Sequence, residues 1–79
     1  MSREEALKKV NEIFKDAFDD EDLVIGFKTI VPDIEGGDSL MQMNIIEMIE
    51  DEFNIRFAAD EVGRILDVGS MIDIIISKT

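Results

Sequence analysis

Two stretches of three-and-four apolar spacing bracket a segment with no period at all, and that pattern most restricts what this chain can fold into. From Glu4 to Phe18 the apolar residues Leu7, Val10, Ile13, Phe14, Ala17 and Phe18 mark one face of an amphipathic helix. Ser2 is placed to cap it, and Glu5 three residues on completes a capping-box pattern. The acids Asp19, Asp20, Glu21 and Asp22 close the helix, since negative charge is unfavourable at a helix C-terminus. Between Asp19 and Asp38, single apolar residues (Leu23, Ile25, Phe27, Ile30, Ile34) are scattered among Gly26, Pro32, Gly36 and Gly37. This reads as a long loop pinned to the core by those side chains, and loops of that length are often functional.

Helical spacing resumes after Gly36-Gly37-Asp38-Ser39. Leu40 to Phe53 contains neither Gly nor Pro, and Met43, Ile45, Ile46, Ile49 and Phe53 cluster on one broad side. Leu40, Asn44, Glu47 and Asp51 form a stripe on the other, with Met41 and Met48 at its border. Asn54 to Ala59 is a short connection, and Asp60 to Leu66 suits a short helix weakened by Gly63. Ser70 is in position to cap a final helix carrying Met71, Ile72, Ile75 and Ile76, with Val68 just before it acting as a hydrophobic staple. The expected fold is all-α: a four-helix bundle with a short third helix and a long loop between the first and second. Residues 1–79 make a single domain.

Composition excludes whole classes of chemistry. The chain has no cysteine and no histidine, so disulfides, thiolate metal sites, the usual general base and the Ser-His-Asp arrangement are all absent. The expectation is a protein that is not an enzyme. Nineteen acids against eight bases give a net charge of −11, the wrong sign for nucleic acid or anionic lipid. No base stands between Lys28 and Arg56, while Asp33, Glu35, Asp38, Glu47, Glu50, Asp51 and Glu52 all do. Such a surface suits basic protein partners and speeds their encounter, although it also serves as a plain solvated face. No apolar run reaches membrane-spanning length and the N-terminus is charged, so the cytoplasm is the expected location.

Most candidate sites fail on inspection. A calcium loop starting at Asp20 needs Gly at its sixth position and Glu at its twelfth, where Ile25 and Val31 stand. Gly36-Gly37 could form an anion nest, but no lysine is near and acids surround it. Ser39 remains. Either Asp38 or Ser39 can cap the helix, and Ser39 with Gln42 fits a capping box. A cap alone gives no reason for two preceding glycines, for exposed Leu40 and Met41, or for the acid-only helix that follows. A serine behind flexible glycines at a helix start is sterically open to a modifying enzyme.

At these residues the sequence resembles the acyl carrier protein family. Gly36-Gly37-Asp38-Ser39-Leu40 is similar to its Asp-Ser-Leu attachment motif, and Glu50-Asp51-Glu52-Phe53 to the acidic run that closes its second helix. Ile55-Arg56-Phe57 with Asp60-Glu61 resembles the short third helix, and Val68 through Ile76 the fourth. The resemblance implies that Ser39 receives a 4′-phosphopantetheine arm from coenzyme A by a separate phosphopantetheinyl transferase. The arm brings the thiol the chain lacks, and cargo rides on it as a thioester. It further implies that Asp38, Leu40, Met41, Asn44, Glu47, Glu50 and Asp51 meet partner enzymes bearing basic docking patches, and that the carrier is a monomer. Phe27, Ile46, Ile49, Phe57, Ile65 and Ile72 are candidate lining for a folded-in acyl chain, or ordinary core.

Two departures bear on pathway. Where the family often carries acids after the motif, this chain has Met41, Gln42, Met43 and Asn44. The double glycine also resembles the motif of peptidyl carriers, which hold amino acids. A specialised carrier in a dedicated pathway is the expectation; an aminoacyl carrier, or an acidic interaction module with no prosthetic group, are the alternatives.

Overall fold

Ser2 caps the first helix as its spacing predicts. Its hydroxyl accepts the Glu5 amide at 3.1 Å while the Glu5 carboxylate accepts the Ser2 amide at 3.0 Å. These two bonds hold the Glu5 carboxyl below its ordinary pKa. The computed structural model describes every residue from Met1 to Thr79. Helix α1 spans Arg3–Phe18, α2 Ser39–Phe53, α3 Ala59–Gly63 and α4 Val68–Lys78. One feature is absent from the sequence reading: a 3-10 turn at Val31–Asp33, with Pro32 at its start, inside the long loop.

Helix α1 is the packing centre and lies against both α2 and α4. It buries Ala6, Val10, Ile13 and Phe14, which meet Ile45 and Ile49 of α2 and Met71, Ile72 and Ile75 of α4. Each such side chain removed from water contributes on the order of 1.5–3 kcal/mol, the dominant favourable term in a molecule 28 × 24 × 22 Å across. Asp19 and Asn54 close α1 and α2 in the left-handed conformation, at φ 51° and 55°, which short polar side chains tolerate.

The loop is held by more than its apolar side chains. Ile25 and Val31 are buried, and Leu23, Phe27 and Ile34 pack partly against the core. Asn11 of α1 donates its amide to the Leu23 carbonyl at 3.2 Å and accepts the Ile25 amide at 2.7 Å. The start of α4 does the same from the other side. Its first two amides, Val68 and Gly69, donate to the loop carbonyls of Thr29 and Phe27 at 2.9 and 2.7 Å. These are orphan donors that a helix cannot satisfy itself, so loop and helix complete each other. Gly69 suits this close approach, because a Cβ there would lie tightly against the Phe27 oxygen at 3.0 Å.

Two expected helix boundaries move. Helix α4 starts at Val68 rather than after Ser70, and its cap is Asp67, whose carboxylate accepts the Ser70 amide at 2.8 Å. Ser70 stands at the third helical position and reaches back, accepting the Leu66 and Asp67 amides at 2.9 and 3.0 Å. Val68 is therefore a buried first-turn residue, not a staple ahead of the helix. Helix α3 ends at Gly63, short of Leu66, because the amides of Leu66 and Asp67 are already committed to Ser70. Glu61 ties α3 to its neighbours: its carboxylate accepts the Ala58 amide at 2.7 Å and pairs with Lys78 of α4 at 3.0 Å. The Ala58 bond first, then Lys78, hold the Glu61 carboxyl below its usual range.

Candidate functional site

Asp38, not Ser39, caps α2. Its carboxylate accepts the Met41 amide at 2.8 Å, and its backbone is extended as a capping residue requires. Ser39 is thereby the first residue of the helix, exposed, with its hydroxyl released from the capping role. The Ser39–Gln42 capping box does not form; the Gln42 amide makes the first intrahelical bond, to the Asp38 carbonyl at 2.9 Å.

The two glycines ahead of the serine brace it. Gly36 has φ +88°, open to glycine at little cost. Gly37 donates its amide to the Ile34 carbonyl at 2.8 Å, and a Cβ on it would collide with the Val31 carbonyl. Gly37 is therefore a fixed corner pressed onto the 3-10 turn, whereas the sequence alone suggests a flexible lead-in.

Beside Ser39 opens a groove of about 610 Å³. The loop contributes Ile30, Val31 and Pro32, α2 contributes Met43, and the connection before α4 contributes Ile65 and Leu66. Phe14 and Met71 close its floor from the core. Of the six lining candidates read from sequence, only Ile65 is found here. Ile46, Ile49 and Ile72 are buried, and Phe27 and Phe57 are half-buried against the core. The period of α2 placed these isoleucines inward correctly, but it carries no information on which inward positions border a gap.

The predicted partner-facing residues divide in two. Leu40 is 81% exposed, and Asn44, Glu47 and Asp51 share its open face. Met41 is half-buried against the core rather than exposed, and the Asn44 amide approaches the Met41 and Met48 sulfurs at 3.9 and 3.8 Å. Glu50 turns inward as well. Its side chain is 14% exposed, accepts the Phe57 amide at 2.8 Å and faces the Arg56 guanidinium at 3.6 Å. That carboxylate organises the turn after α2. The family resemblance groups it with the docking acids, and nothing local in the sequence shows that the chain folds back over it.

The chain matches the family described as "Phosphopantetheine attachment site" over residues 8–75. No curated protein sequence matches it. Among solved structures, the holo acyl carrier protein from Geobacter metallireducens, determined in solution by NMR, superposes with a TM-score of 0.85 at 34% sequence identity, covering 92% of this chain and 84% of that one. Its all-helical fold is the fold seen here.

Proposed function

We infer that Ser39 holds the prosthetic arm of this protein, starting from one premise: the chain belongs to the acyl carrier protein family. Membership makes it a carrier rather than an enzyme, bearing a covalent 4′-phosphopantetheine and served by a phosphopantetheinyl transferase and biosynthetic enzymes. The observation that carries the residue assignment is the division of labour at the start of α2. Asp38 takes the cap, which leaves the Ser39 hydroxyl exposed at the mouth of an apolar groove.

The site fits the group. Ser39 and Leu40 are first-turn residues whose amides have no intrahelical acceptor, and no acid lies within that turn. A phosphate on Ser39 meets the positive end of the helix dipole there. In the loading step the Ser39 oxygen bonds to the phosphorus that carries the pantetheine arm. The bond from that phosphorus to the bridging oxygen breaks, 3′,5′-ADP leaves with the electron pair, and the serine proton passes to a base of the transferase. The arm's thiol then supplies the thioester chemistry that this cysteine-free chain lacks.

The finer reading is a carrier domain, monomeric and cytoplasmic, passing acyl intermediates between enzymes of fatty-acid, polyketide or related biosynthesis. The apolar groove favours an acyl over an aminoacyl cargo. Leu40, Asn44, Glu47 and Asp51 form the face offered to basic docking patches, with Asp38 and Met41 at its edge. The missing acids after Ser39 favour a dedicated pathway over general fatty-acid synthesis. Intact mass after incubation with coenzyme A and a broad-range transferase is the test. One phosphopantetheine is gained by the wild type and none by Ser39→Ala; an unchanged wild-type mass refutes the assignment. Full-rate elongation by synthases of the general pathway would refute the dedicated role.

A further inference from the structure

Leu66 is 79% exposed in a chain of net charge −11; a single exposed leucine is ordinary, and what is informative is its clustering with other exposed apolar side chains. It lies in the connection between α3 and α4, outside the helix that carries the attachment motif. Its backbone is fixed, because its amide donates to the Ser70 hydroxyl at 2.9 Å. Leu66 and Met43, itself 49% exposed, border the same groove as Ser39. Leu40, next to Ser39 and one turn before Met43, adds a third exposed apolar side chain. Two elements, α2 and the α3–α4 connection, thus leave three apolar side chains open around one hydroxyl; Asp38 and Asp67 also line the groove, and the acids Glu47 and Asp51 lie farther along α2.

We propose that Leu66 and Met43 form an apolar collar around Ser39 that docks onto the phosphopantetheinyl transferase, making Leu66 a specificity-determining contact from outside α2. The proposal rests on the assignment of Ser39 above. Enzymes that act on the arm's thiol work at the far end of a long tether and can dock at a distance. The transferase cannot, because it must bring phosphorus to the Ser39 oxygen itself and therefore covers the surface around it. What covers this mouth must be apolar over Leu40, Met43 and Leu66, and basic where Glu47 and Asp51 stand. The apolar contact holds the complex, and the outlying acids set the encounter rate.

Steady-state loading, followed by intact mass with coenzyme A and a purified broad-range transferase, tests this. Leu66→Ser and Met43→Gln are each expected to raise KM roughly three- to tenfold with kcat little changed, the signature of lost uniform binding. Glu47→Gln is expected instead to lower the loading rate at low salt and to lose that effect as salt is raised. Val24→Ser removes an equally exposed apolar side chain that does not border this groove, and it keeps the wild-type KM. Thermal melts of all variants keep the fold in view, and Leu66→Ala repeats the measurement with a smaller backbone perturbation. A wild-type KM in both Leu66 variants overturns the collar while leaving Ser39 in place, and so does an equal rise in Val24→Ser. A wild type that takes up no phosphopantetheine overturns both.

Discussion

Gly37 lies so close to the backbone of Val31 that a Cβ on it would strike the Val31 carbonyl and come within 2.9 Å of the Ile34 oxygen. The contact joins the 3-10 turn of the long loop to the residue two before Ser39. Gly37→Ala must therefore push the turn and the start of α2 apart. Backbone cannot yield as a flexible side chain would, so a cost of about 1–3 kcal/mol is expected, or very roughly 4–8 °C in Tm for each kcal/mol. Loading of Ser39 should slow beyond what the lower stability explains, because the serine itself is displaced. A variant that melts and loads like the wild type would show that the corner is dispensable.

Glu50 and Glu47 are three residues apart on α2 and should behave in opposite ways. Glu50 is mostly covered and accepts the Phe57 amide, so Glu50→Ala leaves a part-buried donor unpaired. The expected loss is about 1–3 kcal/mol, measured by urea or thermal unfolding. Glu47 is exposed, and Glu47→Gln should leave Tm unchanged within error while altering the salt dependence of partner association. If Glu50→Ala unfolds at the wild-type midpoint, its bond to Phe57 contributes nothing to the fold.

The same pair shows what the sequence could and could not carry. Periodicity located α1, α2 and α4, since each buries a face whose spacing is local, whereas α3 buries no residue. It also placed Leu40 on the open stripe of α2. Asn11 escaped notice: its place on α1 looks ordinary, and only the path of a loop twelve residues away gives its amide two partners. Val31, Gly37 and Leu66 are likewise defined by contacts between distant segments. The sequence leaves the cap of α2 open between Asp38 and Ser39 and assigns that of α4 to Ser70, and both are decided in one way. An aspartate stands before each helix, at Asp38 and Asp67, and its carboxylate accepts the first-turn amide in place of the serine hydroxyl.

Glu61 supplies a pH dependence whose sign follows from its bonds. Its carboxyl is held below the ordinary value of 4.5, mainly by the Ala58 amide and then by Lys78. Between the lowered folded pKa and the unfolded value of 4.5, the unfolded chain binds more protons, so stability falls as pH falls. The contribution is fully present above the unfolded value and is lost as pH drops through the folded one. Glu61→Gln should therefore lower Tm at about pH 7 and converge on the wild type as pH falls below the lowered folded value, where both side chains are neutral. A Tm difference that persists undiminished at the lower pH would mean that the charge on Glu61 plays no part in joining α3 to α4.

Asp38 and Ser39 provide the sharpest separation of stability from function. Asp38→Ala removes the cap and leaves the Met41 amide without its side-chain acceptor, at a cost of roughly 0.5–2 kcal/mol. Asp38→Asn keeps an equivalent acceptor and should restore most of that stability, while removing a charge beside the serine. Ser39→Ala replaces an exposed first-turn residue with the best helix former, so Tm should stay level or rise slightly. Yet it is Ser39→Ala that must abolish the mass gain from coenzyme A. Melting curves and intact mass on the three variants together give a crossed pattern: stability follows residue 38 and loading follows residue 39. Were Ser39→Ala to melt as low as Asp38→Ala, the serine would be sharing the cap, and its hydroxyl would not be free in the way the geometry of α2 requires.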